Sequence, residues 1–494
     1  MNRREGFLDR AQRDPDGTSE AAAGPTRDQQ SAAQAVLKNG LRAYGMKAMV
    51  VLFILNAIDE FDRAVLAVSL DSIRESFGLS DAVVGLLPMA VILITGLLSL
   101  PAGHLADRMN RTRILAAGSI IWGGAGLLAA ASVNFVQLFF TRALLGIGQA
   151  TINPTHASLL SDYYPVRLRG RALGYHRAAN PLGQMLGAVI GGGIVAAVGW
   201  RWGFVAAAIP GLLFGMLALT LREPKRGEAD LNAAIEESPM LADFLKEPED
   251  AMGFRESLGM TFSIPTLRNL IYANAAFGFT LIGIVFWLPA LFERRYGFST
   301  EEAGLAFGAL ALSSFLATWF GGPFADWCLR RGFGFVGQIG TATAGILTIT
   351  WTVGFAIPSV WVMTVLLIIG ALIASLTIPG ISTLIAATAP PRIRSQAFAA
   401  FGLALAVCGA AAAPLVVGAV SELFQTWWGV NEGDSLRYAM VIASATVMAV
   451  GTFFIYRASL TAESDAQRVL ADFIAEHSHQ QAMDARQAER ESRT

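Results

Sequence analysis

Apolar residues in this chain come in blocks, and the blocks are long. Residues 84–102, 114–132 and 362–389 are free of charged side chains. Each is long enough to cross a hydrocarbon core of about 30 Å as a helix. Backbone inside lipid must satisfy its own hydrogen bonds, so such blocks read as helices rather than strands or loops. The blocks group as six, a polar gap, and six more. The first six lie near 47–70, 84–105, 113–133, 136–160, 171–197 and 202–221. The second six lie near 267–293, 302–326, 335–356, 359–386, 394–422 and 436–457. The expected organisation is a tail over 1–45, a six-helix bundle over 46–222, a linker over 223–266, a second bundle over 267–458, and a tail over 459–494. From Glu223 to Glu256 the linker holds ten acids and four bases, with prolines at 224, 239 and 248. One short helix is expected in it around Met240–Lys246.

Composition agrees with the pattern. The chain is 54% hydrophobic and 15% charged, with a mean hydropathy of +0.49, whereas soluble domains carry about 25% charge. A net charge of −1 argues against nucleic acid as a partner. Two cysteines, Cys328 and Cys408, make neither a disulfide framework nor a metal cluster. No Walker loop, Gly-x-Ser-x-Gly or His-Glu-x-x-His run occurs, so neither an enzyme nor a bound cofactor is expected. The N-terminus has no apolar core and does not read as a signal peptide. Loops 2–3, 4–5, 8–9 and 10–11 carry ten arginines against five in the opposite loops, which places both termini and the linker in the cytoplasm of a cell or inner membrane.

The second half echoes the first. Gly78-Leu-Ser-Asp81 returns as Gly297-Phe-Ser-Thr300, and Gly103, Asp107 and Arg111 return as Gly322, Asp326 and Arg330, each at a separation of 219 residues. Pro165-x-Arg167-x-Arg169-x-Arg171 returns as Pro390-x-Arg392-x-Arg394-x-Gln396, at 225. Tandem six-helix halves with a substrate site between them at mid-membrane are a common transporter plan.

Within span 1 sits Asp59-Glu60-Phe61-Asp62-Arg63. Counted from Lys47, it lies about 18–24 Å along the helix at 1.5 Å per residue. Ionisable groups at that depth avoid lipid and pair with one another. Arg63 is spaced to reach Asp59 or Glu60, and Arg142 of span 4 lies at a depth similar to that of Asp62. A static salt-bridge network is the plain alternative to a proton-coupling role. Gln149, Asn153 and His156 follow Arg142 on one face of span 4, and His176, Arg177, Asn180 and Gln184 share a broad face of span 5. Both faces are expected to line a cavity, with interhelical hydrogen bonding as the alternative for each histidine. Gly183, Gly187 and Gly191 suit close helix packing.

Gly103-His-Leu-Ala-Asp107-Arg108-Met-Asn-Arg111-Thr-Arg113 resembles the signature loop of the major facilitator superfamily. Asp62-Arg63, Phe77-Gly-Leu-Ser-Asp81, Arg142-Ala-Leu-Leu-Gly-Ile-Gly-Gln149-Ala, Leu160-Ser-Asp162-Tyr-Tyr-Pro165 and Gly199-Trp-Arg-Trp-Gly-Phe204 are similar to its spinster branch. The likeness covers most of 55–222 and continues over 267–458 by pattern and repeat. It implies an all-α major facilitator fold of twelve helices and proton-coupled, alternating-access movement of lysolipid-like or sphingosine-phosphate-like amphiphiles. Asp62 would be the protonation site and Arg142 its partner. Asp107, Arg111, Asp162, Asp326 and Arg330 would gate, Asp107 meeting the start of span 11 near Ile393–Ala397. One position departs from the family pattern: Gln149, which cannot titrate, stands where a glutamate is usual. Glu60 and Asp59 are then the candidates to supply the missing acid.

The halves differ in polarity. Spans 1, 4 and 5 carry the charged and amide residues named above, while spans 7, 10 and 11 offer little beyond Asn274, Thr377, Ser382 and Thr383. One polar wall and one apolar wall suit a charged head with a greasy tail. The headgroup contacts expected are Arg142, Gln149, Asn153, Arg177 and Asn180, in a monomer whose partners are bilayer, substrate and protons. Sister readings are a symporter of small organic anions, which should carry bases on both walls, and a membrane sensor that transports nothing.

Overall fold

A computed structural model of the protein describes residues 46–164, 166–225, 228–229, 254–390, 393–469 and 471. The described chain is nearly all helix. Eleven helices among these residues are long and apolar enough to cross a membrane. The twelfth, Met46–Val68, is 23 residues long but carries Asp59, Glu60, Asp62 and Arg63 among its apolar residues. The protein is therefore a multi-pass membrane protein of two six-helix sets.

The helices follow the expected blocks. Span 1 is Met46–Val68, and a further helix, Leu70–Phe77, leads to span 2, Leu86–Arg108. Span 3 is Arg111–Ala130, span 4 runs over Phe135–Tyr163, and span 5 starts at Val166 and ends at Val198. Span 6 is Trp200–Ala218. Spans 7 to 10 are Pro265–Tyr296, Thr300–Leu329, Phe333–Ala356 and Val360–Thr388. Span 11 joins Arg394–Leu403 to Ala413–Trp428, and span 12 runs over Glu432–Ser459. The end of the molecule carrying loop 2–3 is called the near end below, and the opposite end the far end.

The sequence repeat has a backbone cause. Gly78 ends its helix in the left-handed region at φ 63°, and Gly297 ends span 7 likewise at φ 69°. Only glycine adopts this conformation without strain, and it lets the last carbonyls be capped. Spans 5 and 11, counterparts in the repeat, share another device. Each contains a π-helical segment, Gly187–Gly191 in one and Ala404–Ala411 in the other. Such segments displace the helical ladder and often mark functional regions.

Lipid is as apolar as leucine, so these helices associate through close packing rather than through water exclusion. Span 5 shows how. A Cβ on Gly183 would lie 2.2 Å from the Ala57 carbonyl oxygen, and one on Gly187 2.5 Å from that of Phe61. One on Gly191 would meet Val65 at 2.5 Å. The pairs 57–183, 61–187 and 65–191 keep a constant offset, so spans 1 and 5 run parallel in register directly beside the Asp59–Arg63 cluster.

At the far end one hydrophobic core crosses both halves, taking in Val65, Leu87 and Phe204 with Trp287, Phe307 and Val417. A second core, around Leu267, Cys328, Val336 and Ala458, stays within the second half at the near end. The helix expected around Met240–Lys246 lies outside the described residues. A helix at Phe254–Ser263, within the stretch read as linker, precedes span 7. Part of the stretch read as C-terminal tail is helical over 462–469. There buried Asp465 accepts hydrogen bonds from the Thr266 amide (3.1 Å) and hydroxyl (2.7 Å), capping the start of span 7.

Candidate functional site

Span 1 delivers its polar residues to two neighbours at once. Asp62 faces span 4, where Arg142 Nη1 donates to both its carboxylate oxygens at 2.9 and 3.2 Å. Arg142 is fully buried and lies over the Phe204 ring of span 6 at 3.8 Å. A guanidinium on an aromatic face gains from the ring quadrupole where water is absent. Asp59 and Glu60, also buried, have their own partners. Arg63 Nη2 donates to Asp59 at 3.1 Å, and Gln184 Nε2 of span 5 donates to Glu60 at 2.9 Å.

The same strip continues toward the near end. Asn56 donates from its amide to Asn180 at 2.5 Å and to the His176 carbonyl at 3.0 Å. His176 Nε2 lies 2.8 Å from His156 Nδ1, the rings meeting edge to face. The pairs 56–180 and 60–184 share one offset, so the polar ladder follows the register set by the glycine contacts. From the near end it reads His156–His176, Asn56–Asn180, Glu60–Gln184, Asp59–Arg63, Asp62–Arg142.

Burial sorts the expected headgroup contacts. Arg142 and Gln149 are closed off, at 0% and 1% exposure. The first is enclosed by Asp62 and Phe204, so in this conformation neither offers itself to a substrate as the sequence suggested. Asn180 is half-buried and spent on Asn56, whereas Asn153 and Arg177 are exposed. Arg177 also lies within electrostatic reach of Glu60. Among the described residues the amide of Gln149 and the Nη2 of Arg142 have no hydrogen-bond partner. A cavity of about 550 Å³ lined by Glu75, Trp200 and Arg201 lies at the far end, away from this ladder.

A model of the Major Facilitator Superfamily matches residues 52–414. The chain belongs to that superfamily. Its relatives include the probable L-galactonate transporter of Escherichia coli (strain K12), 26% identical over 58% of this chain and 62% of the other. They also include the sphingosine-1-phosphate transporter SPNS2 of Xenopus tropicalis, 25% identical over 84% of this chain and 82% of the other. Among solved structures the chain is similar to a bacterial homologue of the human lysosomal transporter spinster, in an inward-facing and unoccupied conformation. That match has a TM-score of 0.69 and 22% identity, covering 87% of this chain and 98% of the other. The protein is a transporter of the major facilitator type, similar to the spinster group, and not an enzyme.

The superfamily's signature loop is built around Arg111. Its guanidinium, with no exposed surface, pairs with Asp162 and donates to Ser158 (2.8 Å), to Glu223 (2.7 Å) and to the Pro224 carbonyl (2.8 Å). Five donors in a fixed fork suit such a many-sided clasp. It ties loop 2–3 to the end of span 4 and to the first linker residues. Glu223, counted from sequence only among the linker's acids, is part of it. The side chains of Asp107 and Asp326, and the expected meeting of Asp107 with the start of span 11, lie outside the described residues. Arg330 is exposed.

Sequence reading also passed over the far end. Arg294 of span 7 is paired with Asp71, and donates to both carboxylate oxygens of Asp81 at 2.8 Å. Arg74 reaches Glu432 at 2.6 Å, and Ser421 donates to Asp81 at 3.2 Å. These bonds bridge the halves. Asp81 stands in the repeated Gly-x-Ser motif, and its second-half equivalent is uncharged Thr300. That one-sided charge was the available signal.

Proposed function

We propose that the protein moves an anionic amphiphile of lysophospholipid type across the membrane by proton-coupled alternating access. The observation that carries this reading is the polar ladder on spans 1, 4 and 5, with nothing comparable among the described residues of spans 7, 10 and 11. Thr377, Ser382 and Thr383 donate to carbonyls of their own helix, at 2.9, 3.1 and 3.0 Å. Asn274 donates to the Phe401 carbonyl at 2.8 Å. With those groups satisfied, the described residues of spans 7, 10 and 11 show a substrate mostly apolar surface, half-buried Ser375 being the exception in the middle of span 10. The anionic head would rest near Arg177 and Asn153, with Asn180 behind them, because an arginine grips a phosphate through paired hydrogen bonds. The tail would lie along spans 7, 10 and 11.

In this reading Asp62 exchanges a proton for its bond to Arg142 during the cycle, and Asp59 and Glu60 stand in for the acid that Gln149 is not. The far-end ion pairs and the shared core close that end. The Arg111 clasp, with Asp107, Asp162, Asp326 and Arg330, would govern the near end. The basic-loop count favours a cytoplasmic near end and linker, the two bundles being 46–222 and 267–458.

The organic-anion reading is supported by likeness to transporters of sugar acids, the probable L-galactonate transporter among them. It calls for bases on both walls, and the middles of spans 7, 10 and 11 hold none. Purified protein in liposomes under an inward proton gradient, offered lysophosphatidylglycerol or a hexuronate, tests the choice. Gradient-driven entry of the lysolipid is expected. Hexuronate entry with lysolipid excluded would replace the lipid reading.

A further inference from the structure

His156 and His176 are in contact, which their sequence spacing could not show. They belong to different spans, are 0% and 4% exposed, and sit 2.8 Å apart, Nδ1 to Nε2. A contact of that length between two ring nitrogens is a hydrogen bond, so one carries a hydrogen and the other accepts it. That limits the states available. A neutral pair satisfies the contact, and so does a pair holding one extra proton. Two imidazoliums do not, because both facing nitrogens would be donors. The dyad is therefore a site for a single proton.

Its surroundings give that proton a purpose. The next residue along span 5 is Arg177, and Asn153 lies one turn before His156 on span 4; both are exposed. The His176 carbonyl is held by Asn56, one turn from Asp59 and Glu60 on span 1. Other ionisable groups on the helices packed around the dyad lie toward the near end. These are His104 of span 2, Asp107, Arg111 of span 3, already held by Asp162 and Glu223, and, on span 8, which meets span 5 at Tyr175–Trp319, Asp326 and the Arg330 that follows it; the side chains of Asp107 and Asp326 are outside the described residues. Nε2 of His156 is buried and, among the described residues, without a partner. Among the described residues no carboxylate bonds either ring. A proton added here places a second positive charge beside Arg177, and an anion bound at Arg177 and Asn153 is what would offset it.

We infer that the His156–His176 dyad is a second proton-binding site, filled together with the anionic headgroup. It deepens the proton-coupled reading above and rests on it. The proton comes from water at the near end, is shared as N–H⁺···N across the dyad, and leaves when the anion leaves. No covalent bond to substrate forms. Binding of the two ligands must then be reciprocal: whatever factor the anion adds to proton affinity, the proton adds to anion affinity.

The test begins with the native protein in nanodiscs, ¹⁵N-labelled at its five histidines. Imidazole spectra are recorded from pH 5 to 8.5, with and without 1-oleoyl-lysophosphatidylglycerol, and assigned through the single variants His156→Asn and His176→Gln. Asparagine puts an amide near the Nδ1 position and glutamine near Nε2, so each keeps the contact without titrating. The expected result is one shared protonation step, at higher pH with the lysolipid than without it. Added lysolipid should raise the proton affinity at least threefold. Both rings neutral down to pH 5, with and without lysolipid, overturns the inference, as does a step that the anion does not move. Uptake separates the two readings. The double variant His156→Asn/His176→Gln should lose at least tenfold in gradient-driven uptake. If Asp62→Asn uncouples while the double variant behaves as native, the dyad reading falls and the proton-coupled reading stands. If native uptake ignores the gradient, the proton-coupled reading falls, and the dyad inference that rests on it falls too.

Discussion

The two six-helix halves share a repeat and differ in what they do with polarity. In the first half, charged and amide side chains reach across helices to one another, from His156–His176 to Asp62–Arg142. In the second, hydroxyls fold back onto the carbonyls of their own helix, as Ser382 does to Ile378 and Thr383 to Pro379. Back-bonding of this kind leaves a helix apolar in effect while its sequence still looks mixed. Tandem repetition has kept the scaffold in both halves, visible in the left-handed Gly78 and Gly297. Titratable machinery has been kept in one. A transporter whose substrate has two chemically distinct ends needs this division, since a head and a tail cannot share a wall.

Breaking Asp62–Arg142 should produce the largest effect and break the comparison outright. Removing one partner of a buried ion pair costs about 3–5 kcal/mol, because the other charge is left unpaired. Arg142→Ala should abolish transport of every substrate, with a folding loss visible in thermal unfolding. Asp62→Asn, which keeps a hydrogen-bonding side chain against Arg142, should lower gradient-driven uptake by about a hundredfold yet preserve exchange. Equal loss of both activities would mean the pair only holds the bundle together.

The far-end link comes next. Arg294→Gln removes the nearer of the two charges that hold Asp71 and Asp81 and leaves Arg74, at 3.7 and 4.0 Å, as their remaining cation. Exposure of the far end should rise, read as faster thiol labelling of a cysteine introduced at Ser421, which is buried against Asp81. Unchanged labelling would show that the shared hydrophobic core alone closes this end. Packing between spans 1 and 5 should respond more modestly. Gly187→Ala puts a methyl 2.5 Å from the Phe61 carbonyl, and overpacking of this kind costs about 1–3 kcal/mol. Thermal unfolding should show the loss, and uptake should fall with it, because that contact holds the ladder in register.

Much of this was legible beforehand. Twelve apolar blocks, the repeat and the polar imbalance are properties of the chain read in one dimension, and the helices fall where the blocks lie. Asp62 meeting Arg142 followed from similar depth on two spans. What stayed hidden depends on rotation and on contacts between distant segments. Arg142 and Gln149 lie on the same strip as exposed Asn153, yet neighbouring helices cover the first two. Glu223 and Asp465 sat in stretches read as linker and tail, and each holds the start of a span. Asn56 drew no notice as a lone amide in an apolar run. The proximity of His156 to His176 is a contact between two spans, which periodicity does not encode.

The smallest effects should come from the second half, and they separate an apolar wall from a merely sparse one. Thr377, Ser382 and Thr383 are three of the polar residues of span 10, and each hydroxyl donates to a carbonyl one turn back, that of Thr377 also lying 3.3 Å from the Thr343 hydroxyl of span 9. That carbonyl already accepts the helical hydrogen bond, so losing the hydroxyl leaves no backbone group unsatisfied. An exchange of threonine for valine or serine for alanine then costs at most about 1 kcal/mol, the net worth of one such bond. The triple variant Thr377→Val/Ser382→Ala/Thr383→Val should transport lysophosphatidylglycerol within about twofold of native. Its counterpart is a polar insertion. Ala411, a natural choice on span 11, is 3% exposed, so an aspartate there would test packing. Leu403, 41% exposed on the same span, is the better site. Leu403→Asp should depress long-chain transport while sparing short-chain analogues, because a carboxylate must keep its water where a tail would lie. If the triple variant fails with the lysolipid while Leu403→Asp passes it freely, the head lies on the second half and the assignment of the two walls is reversed.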